Sequence, residues 1–205
     1  MKKPSIFEII EAQKKLNFKL FNTPFDCNLG AIRSNDKDSN AFNDFAFIWT
    51  HNHDGELIYE IVPCTVDAGI FYRINPMRRQ GTAIIQHNVQ HLRAYQLQHP
   101  HLNSKHIGHK GQSAFRQIND MSYWRDNGKT EELNFEGPTF IENAQTNGHY
   151  MGTAGIQVNK WSAGCWGSIV ENMDKLYRIG DLQVKHLRSD IFSFSLIKED
   201  VLLSL

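Results

Sequence analysis

Apolar and polar residues alternate, or apolar residues form short runs, over most of the chain, which is typical of β-strands. The runs FAFIWT (45–50) and LIYEIVPCT (57–65) flank a polar turn that contains Asp54 and Gly55, so we predict a hairpin there. Helical patterns do not alternate with these strands, so the predicted fold class is mainly β with a few short α-helices. Further strands are predicted at 18–20, 82–85, 113–118, 139–143 and 191–197.

Two segments combine a capping box with apolar residues at helical spacing. Ser5 and Glu8 have the form of the first box, and a short amphipathic helix is predicted over 5–16. The segment SIVE (168–171) has the same form, so a second short helix is predicted from there to about Tyr177.

Length and composition indicate one globular domain over residues 1–205. Lys and Arg balance Asp and Glu at 22 each, which argues against a nucleic-acid or anionic-membrane partner. The three cysteines lack C-x-x-C spacing, so no disulfide framework is expected, and Cys27 and Cys64 are predicted to be structural. Charged residues interrupt the N-terminal segment and no run has the length of a membrane span. We therefore expect no Sec signal and synthesis in the cytoplasm.

Residues 86–110 hold six of the ten histidines. His87 and His91 are four residues apart, so on a helix they could share one face and bind zinc. The alternative interpretation is a polar, exposed insertion. No cysteine accompanies these histidines and no H-E-x-x-H pattern is present, so we predict no metal.

The segment NGHYMGTAGIQVNKWSAGCWGS (147–168) places one thiol and one histidine among glycines. A cysteine nucleophile needs a base that accepts its proton, and backbone N–H groups that stabilise an oxyanion. Gly164 allows a sharp turn beside Cys165, and Ser162 can hydrogen-bond within that turn. His149, in a glycine-rich loop after a predicted strand, is the candidate base.

The pattern of His149 followed by SAGC (162–165) resembles the signature of the L,D-transpeptidase catalytic domain, a histidine followed by Ser/Thr-His-Gly-Cys. Papain-like peptidases, in contrast, place the cysteine before the histidine. The segments at 63–85 and 159–165 are similar to a phage and Bacteroidetes group of such proteins. Ala163 replaces the second histidine of the motif.

This resemblance covers roughly residues 28–198, and it implies an L,D-transpeptidase-like β-sandwich. Residues 1–27 then form an N-terminal extension with a helix and a strand. The histidine-rich segment 86–110 becomes an insertion at the place of substrate-side loops.

The resemblance also implies a reaction. Cys165 would attack a carbonyl of a peptidoglycan stem peptide, with His149 as the base. The N–H groups of Gly164 and Cys165 would hold the oxyanion, and no metal or other cofactor is implied. Because Ala163 replaces a histidine, we expect water rather than an amine to release the acyl group.

Four aromatic side chains are candidates for substrate binding, although aromatic residues beside a turn can equally belong to the core. They are Tyr150, Trp161, Trp166 and His109. Arg125 and Asp126 are predicted to form a turn, and they are weaker candidates for the site.

The sequence therefore predicts a cysteine-dependent enzyme that acts on peptidoglycan stem peptides, either as an L,D-carboxypeptidase or endopeptidase or as an L,D-transpeptidase. It would act in the periplasm or cell wall as a phage lysis protein or antibacterial effector, with a delivery apparatus or an immunity protein as a partner. A second hypothesis is an inactive wall-binding or phage-structural module with the same fold. A third is a metal hydrolase that uses the histidines of 86–110.

Overall fold

A computed structural model of the protein describes residues 1–152 and 157–205, and it confirms a mainly β fold with a few helices. The strands are β1 (Asn28–Arg33), β2 (Asp44–His51), β3 (Leu57–Cys64), β4 (Thr82–Ile85), β5 (Val89–Gln98), β6 (Ala114–Gln117), β7 (Met121–Asp126), β8 (Thr139–Glu142), β9 (Gly148–Tyr150), β10 (Trp166–Ser168) and β11 (Ile191–Lys198). The helices are α1 (Ile6–Lys15), α2 (Ile70–Ile74), α3 (Val170–Leu187) and α4 (Glu199–Leu203). No helix within the described ranges is long and apolar enough to cross a membrane.

Eight strands form one mixed sheet in the order β10-β9-β6-β5-β11-β1-β2-β3. The pairs β1–β11 and β9–β10 are parallel, and the other neighbours are antiparallel. The two edges of this sheet meet, because Thr65, directly after β3, exchanges two backbone hydrogen bonds of 2.9 Å with Gly167 in β10. The other three strands form an antiparallel sheet in the order β4-β7-β8.

Helices cover both faces of the large sheet. From α3, Met173, Leu176 and Ile179 join the main core with apolar side chains of β1, β5 and β11. From α1, Ile6 and Ile9 pack into a second cluster with other side chains of β1, β2 and β11. Because β1 contributes to both clusters, all six of its residues are buried and its sequence NLGAIR does not alternate. For this reason the periodicity did not predict β1.

Several sequence predictions are confirmed. The capping box of α1 is present, because the Ser5 hydroxyl accepts from the Glu8 N–H (3.2 Å) and the Glu8 carboxylate accepts from the Ser5 N–H (2.7 Å). The predicted hairpin is β2–β3, in antiparallel register from Asp44↔Cys64 to His51↔Leu57. Strands β4, β6 and β8 lie within the segments predicted for them, and β11 covers its predicted segment and one further residue, Lys198.

Three local predictions are wrong. Residues 18–20 form no strand. Ser168 belongs to β10, where its hydroxyl donates to the Pro63 carbonyl, so it does not cap α3, and that helix continues to Leu187. Arg125 and Asp126 are buried residues of β7 rather than a turn. Arg125 forms an ion pair with Glu142 of β8, and Asp126 forms one with Arg73 of α2.

The prediction of a polar, exposed segment over 86–110 is wrong for residues 89–98, whereas residues 101–107 are mostly exposed, as expected. Strand β5 occupies 89–98 and lies inside the large sheet, between β6 and β11. His91 is a buried residue of this strand, so it cannot share a helix face with His87. Burial lowers the pKa of His91 to about 4 and, together with the nearby Arg33 charge, lowers the pKa of His87 to about 3. Both side chains are therefore neutral parts of the fold near neutral pH.

Candidate active site

Parallel pairing of β9 and β10 brings His149 and Cys165 together. In the register of this pair Gly167 lies opposite His149, and Cys165 comes directly before β10. A Cβ atom on Gly167 would overlap the carbonyl oxygen of His149, so this close approach requires glycine. As a result the Cys165 thiol and a ring nitrogen of His149 lie within 4.8 Å of each other.

The turn before Cys165 is held by Ser162. The buried Ser162 hydroxyl accepts a hydrogen bond from the Gly164 N–H (3.0 Å) and donates one to the Cys165 carbonyl (2.7 Å). Gly164 has φ +129°, a conformation that favours glycine. Ser162 and Gly164 thus shape the turn, as predicted from the sequence. The Gly164 N–H is already bonded, however, so its expected role as an oxyanion donor is wrong for this conformation.

The protonation of His149 follows from its hydrogen bonds. Its Nδ1 lies 2.8 Å from the Tyr150 carbonyl, which can only accept, so the ring proton resides on Nδ1 and Nε2 carries a lone pair. This Nε2 is buried and has no hydrogen-bond partner among the described residues. Burial, with a smaller contribution from the adjacent His109, lowers the pKa of His149 to about 3. His149 is therefore a neutral acceptor beside the thiol.

The Cys165 thiol is also neutral. Its Sγ donates a weak hydrogen bond to the Gln145 carbonyl (3.6 Å). Burial raises the pKa of Cys165 to about 11, although a backbone hydrogen bond from Asn147 acts in the opposite direction. The resting pair is thus a thiol and an imidazole, rather than a thiolate and an imidazolium. Such a pair can react only if the proton leaves the sulfur as the sulfur attacks.

His109 forms the third member of this group. Its ring stacks on that of His149, with centroids 3.8 Å apart and an interplanar angle of 4°. The Asn147 side-chain oxygen accepts from the Gln117 N–H (2.9 Å), so the Asn147 amide nitrogen donates to His109 Nδ1 (3.2 Å). The His109 proton consequently resides on Nε2, and this ring offers a donor where His149 offers an acceptor.

A cleft of about 440 Å³ opens beside the thiol. Cys165, Ala163 and His109 line it, whereas His149 lies behind them and is only 3% exposed. Trp161 and Met77 also line the cleft, and both are largely exposed. The cationic side chains that line it are Arg78, Lys110, Arg125 and Lys160, and the described lining contains no carboxylate.

The four aromatic candidates fall in different places. Trp161 and His109 line the cleft, as expected of substrate-binding residues. Trp166 is fully buried in the main core, where it stacks on Phe115, so its assignment to substrate binding is wrong. Tyr150 is not among the residues that line the cleft; it packs on the main core and accepts a hydrogen bond from Gln112.

The thiol and the two imidazoles could in principle hold a metal ion. Ligand atoms of His109, His149 and Cys165 lie within 4.8 Å of one another, and no other such group was found among the described residues. The hydrogen bonds fit this role poorly, because the Asn147 amide occupies His109 Nδ1 and so leaves the proton on Nε2, the other possible ligand atom. The arrangement therefore favours proton transfer over coordination.

The other two cysteines line no described cleft. Cys27 and Cys64 are buried in the main core, and burial raises the pKa of each thiol well above the usual range. Comparisons with protein-family models, curated proteins and solved structures gave no match to this chain. The geometry of the site therefore carries the functional argument.

Sequence reasoning missed two residues that shape the site, Asn147 and Lys110. Asn147 orients His109 and is two positions before His149, so strand alternation places both side chains on one side of β9. Lys110 follows His109 directly and lines the cleft. Alternation could have indicated Asn147 once β9 was predicted, whereas Lys110 has no signal in the sequence beyond its charge.

Proposed function

We propose that the protein is a cysteine-dependent acyl-transfer enzyme that acts on peptidoglycan stem peptides. The observation that carries this proposal is the imidazole of His149: its Nε2 is buried without a partner among the described residues, and one of its ring nitrogens lies within 4.8 Å of the Cys165 thiol, which lines a cleft. A buried acceptor without a hydrogen bond destabilises a fold by about 1–3 kcal/mol. Its presence next to Cys165 is explained if the acceptor takes the thiol proton during a reaction.

In the proposed reaction, Cys165 Sγ attacks a peptide carbonyl carbon while its proton moves to His149 Nε2. The tetrahedral intermediate collapses, the C–N bond breaks, and the leaving amine takes the proton from His149. A thioester on Cys165 remains. Water then attacks the thioester with His149 as the base again, and the acid and the thiol are released.

The oxyanion of the intermediate needs donors other than the Gly164 N–H, which Ser162 occupies. Two groups support this role. The Cys165 N–H has no hydrogen-bond partner in the described part of the chain, and the His109 Nε2–H belongs to a ring that lines the same cleft. We assign these two groups to the oxyanion.

Hydrolysis rather than cross-linking is the proposed outcome, because Ala163 stands at the second histidine position of the motif that this chain resembles. The enzyme would then act as an L,D-carboxypeptidase or endopeptidase in the periplasm or cell wall. Delivery by a phage or a secretion apparatus, as a lysis protein or an antibacterial effector, belongs to the same proposal.

Digestion of purified muropeptides tests this function. We expect the wild type to convert tetrapeptide stems to tripeptides, as read by product mass, and Cys165→Ala to be inactive. Cys64→Ala is the matched control, because it removes a thiol at the other edge of the same sheet. Cross-linked dimers as the main product would instead favour transpeptidation, and an active Cys165→Ala variant would contradict the proposal.

One observation favours a second candidate, an inactive wall-binding module. The Ser162 hydroxyl ties up the Gly164 N–H, and the thiol proton rests on the Gln145 carbonyl, so the resting site is not arranged as an ion pair. Such a module would bind muropeptides equally well with Cys165→Ala and would release no product. Calorimetric binding without turnover would select this candidate.

A further inference from the structure

We infer that the cleft beside Cys165 recognises a substrate with a free carboxylate close to the scissile bond, and that Lys110 and Lys160 bind this carboxylate. The inference deepens the proposed function, on which it rests for the identity of the peptide. It concerns the charge of the substrate rather than the chemistry of the thiol, and it can be tested without turnover.

The first observation is the charge of the cleft. Two of its cations, Arg78 and Arg125, form ion pairs with the same carboxylate, Glu142. Lys110 and Lys160 have no carboxylate within 4.0 Å in the described ranges. Glu142 therefore neutralises part of the arginine charge and leaves the two lysines uncompensated, so a protein with equal numbers of acidic and basic residues has concentrated positive charge here.

The second observation is the position of the two lysines. Lys110 follows His109 in a turn closed by the bridge between His109 and Gln112, so its charge lies near the reacting atoms. Consistent with this position, the Lys110 charge lowers the pKa of both His149 and Cys165. Lys160 is held at the cleft by a cation–π contact, with its Nζ 4.3 Å from the Phe71 ring centroid.

The chemistry of the site favours a carboxylate over other anions. The acyl group must reach Cys165, so the anion belongs to the same molecule as a peptide carbonyl, and peptides carry carboxylates. Because the lysines line the same cleft as the thiol, they suit a carboxylate close to the scissile bond, and the free C-terminus of a leaving terminal residue supplies one. The site therefore selects for removal of a terminal residue rather than for cleavage inside an amidated or extended peptide.

Alkylation of Cys165 by two reagents of similar size, anionic iodoacetate and neutral iodoacetamide, tests the charge preference. The same thiolate displaces iodide from either reagent, so the ratio of the iodoacetate rate to the iodoacetamide rate is independent of the thiol pKa. We expect the ratio of the iodoacetate rate to the iodoacetamide rate to be about fivefold higher for Cys165 than for a small free thiol at low salt. This ratio should fall at high salt, which screens the lysine charges. Intact mass identifies the adduct, and Cys165→Ala is the blank.

Variants assign the effect to the two lysines. Lys110→Gln and Lys160→Gln should each lower the iodoacetate preference, and the double variant should remove it. Lys175→Gln, an exposed lysine on α3 outside the cleft, is the matched control and should leave the ratio unchanged. If Cys165 of the wild type showed the same iodoacetate-to-iodoacetamide ratio as the small free thiol, the inference would be overturned.

A substrate pair separates this inference from the proposed function. We expect tetrapeptide stems with a free terminal carboxylate to be cleaved at least about tenfold faster than the same stems with a terminal amide. Equal rates would overturn the inference while leaving the proposed function intact. A strong iodoacetate preference without cleavage of either stem would overturn the proposed function and support the charged cleft.

Discussion

The two edges of the eight-stranded sheet are built differently. At one edge, the β2–β3 hairpin pairs antiparallel over eight residue pairs and closes with a short polar turn. At the other edge, β9 and β10 pair in parallel over only three residue pairs. Parallel strands cannot be joined by a tight turn, so their partners come from more distant parts of the chain. The short parallel pair can therefore hold a thiol next to a histidine sixteen residues earlier in the sequence.

The two thiols at these edges show what the difference means for chemistry. Cys64 ends β3, Cys165 precedes β10, and burial raises the pKa of both. Burial alone thus does not distinguish a structural cysteine from a candidate nucleophile. Cys165 differs in that a ring nitrogen of the neutral His149 lies within 4.8 Å of its sulfur and a cleft opens in front of it. The two backbone bonds between Thr65 and Gly167 connect the site edge to the hairpin edge and so brace the short pair.

Replacing each of the two cysteines by alanine in turn should give the largest contrast in activity. We expect Cys165→Ala to abolish muropeptide hydrolysis and to leave the thermal midpoint nearly unchanged. Cys64→Ala should keep most of the activity but lower the free energy of unfolding by about 1–3 kcal/mol, because it leaves a cavity in a packed core. Activity assays and denaturant titrations check both results. Equal loss of activity in the two variants would contradict the assignment of Cys165.

Removal of the base should have the next largest effect. General acid–base assistance is typically worth about 10²–10⁴ in rate, so His149→Ala should lose roughly that factor in kcat/KM. His149→Gln keeps a polar side chain without a titrating nitrogen and should be nearly as poor. His91→Gln is the control, since His91 is a buried histidine of β5 outside the cleft. Full activity of His149→Gln would exclude His149 as the base.

The protonation state of the pair predicts a pH profile. A thiol with a pKa of about 11 gains thiolate as the pH rises, so alkylation by iodoacetamide should accelerate about tenfold per pH unit from neutral pH upward. A thiolate–imidazolium pair would instead react at a nearly constant rate over this interval. Stopped-time alkylation followed by mass spectrometry measures the profile, and a flat profile would show that the pair is ionic at rest.

Loss of the Ser162 hydroxyl should have a smaller effect. Ser162→Ala leaves the Gly164 N–H and the Cys165 carbonyl unpaired, which should lower the free energy of unfolding by about 1–3 kcal/mol and reduce activity. Thr50→Val in the hairpin removes a hydroxyl that donates to the Asp26 carbonyl and should cost a similar free energy. Only the first variant should change the rate of hydrolysis. An equal change in both would mean that activity simply follows stability.

Chelation should have the smallest effect. The Asn147 hydrogen bond leaves the His109 proton on Nε2, which favours proton transfer over coordination, so a strong chelator should leave hydrolysis unchanged. Muropeptide digestion with and without the chelator measures this. Loss of activity that zinc restores would transfer the mechanism to a metal held by His109, His149 and Cys165.

The same contrast explains what could be predicted from the sequence. The hairpin was predictable because its signals are local: alternating residues and an Asp-Gly turn. The pairing of His149 with Cys165 could only be proposed from a motif, because the parallel register of β9 and β10 leaves no periodic signal in three residues. Strand β5 was missed because it contains polar residues that are buried, such as His91. Its sequence therefore does not alternate between polar and apolar residues. The cationic cleft could not be predicted, since Lys110 and Lys160 are distant in sequence and meet only in the fold.

The most direct test of the central claim is the mass of the protein during turnover. Wild-type protein incubated with tetrapeptide muropeptides and quenched in acid should carry the mass of a tripeptide acyl group, and peptide mapping should place it on Cys165. The adduct should persist longer when hydroxylamine is absent, since hydroxylamine cleaves thioesters, and Cys165→Ala should show none. An adduct on another residue, or turnover without any adduct on Cys165, would contradict the account.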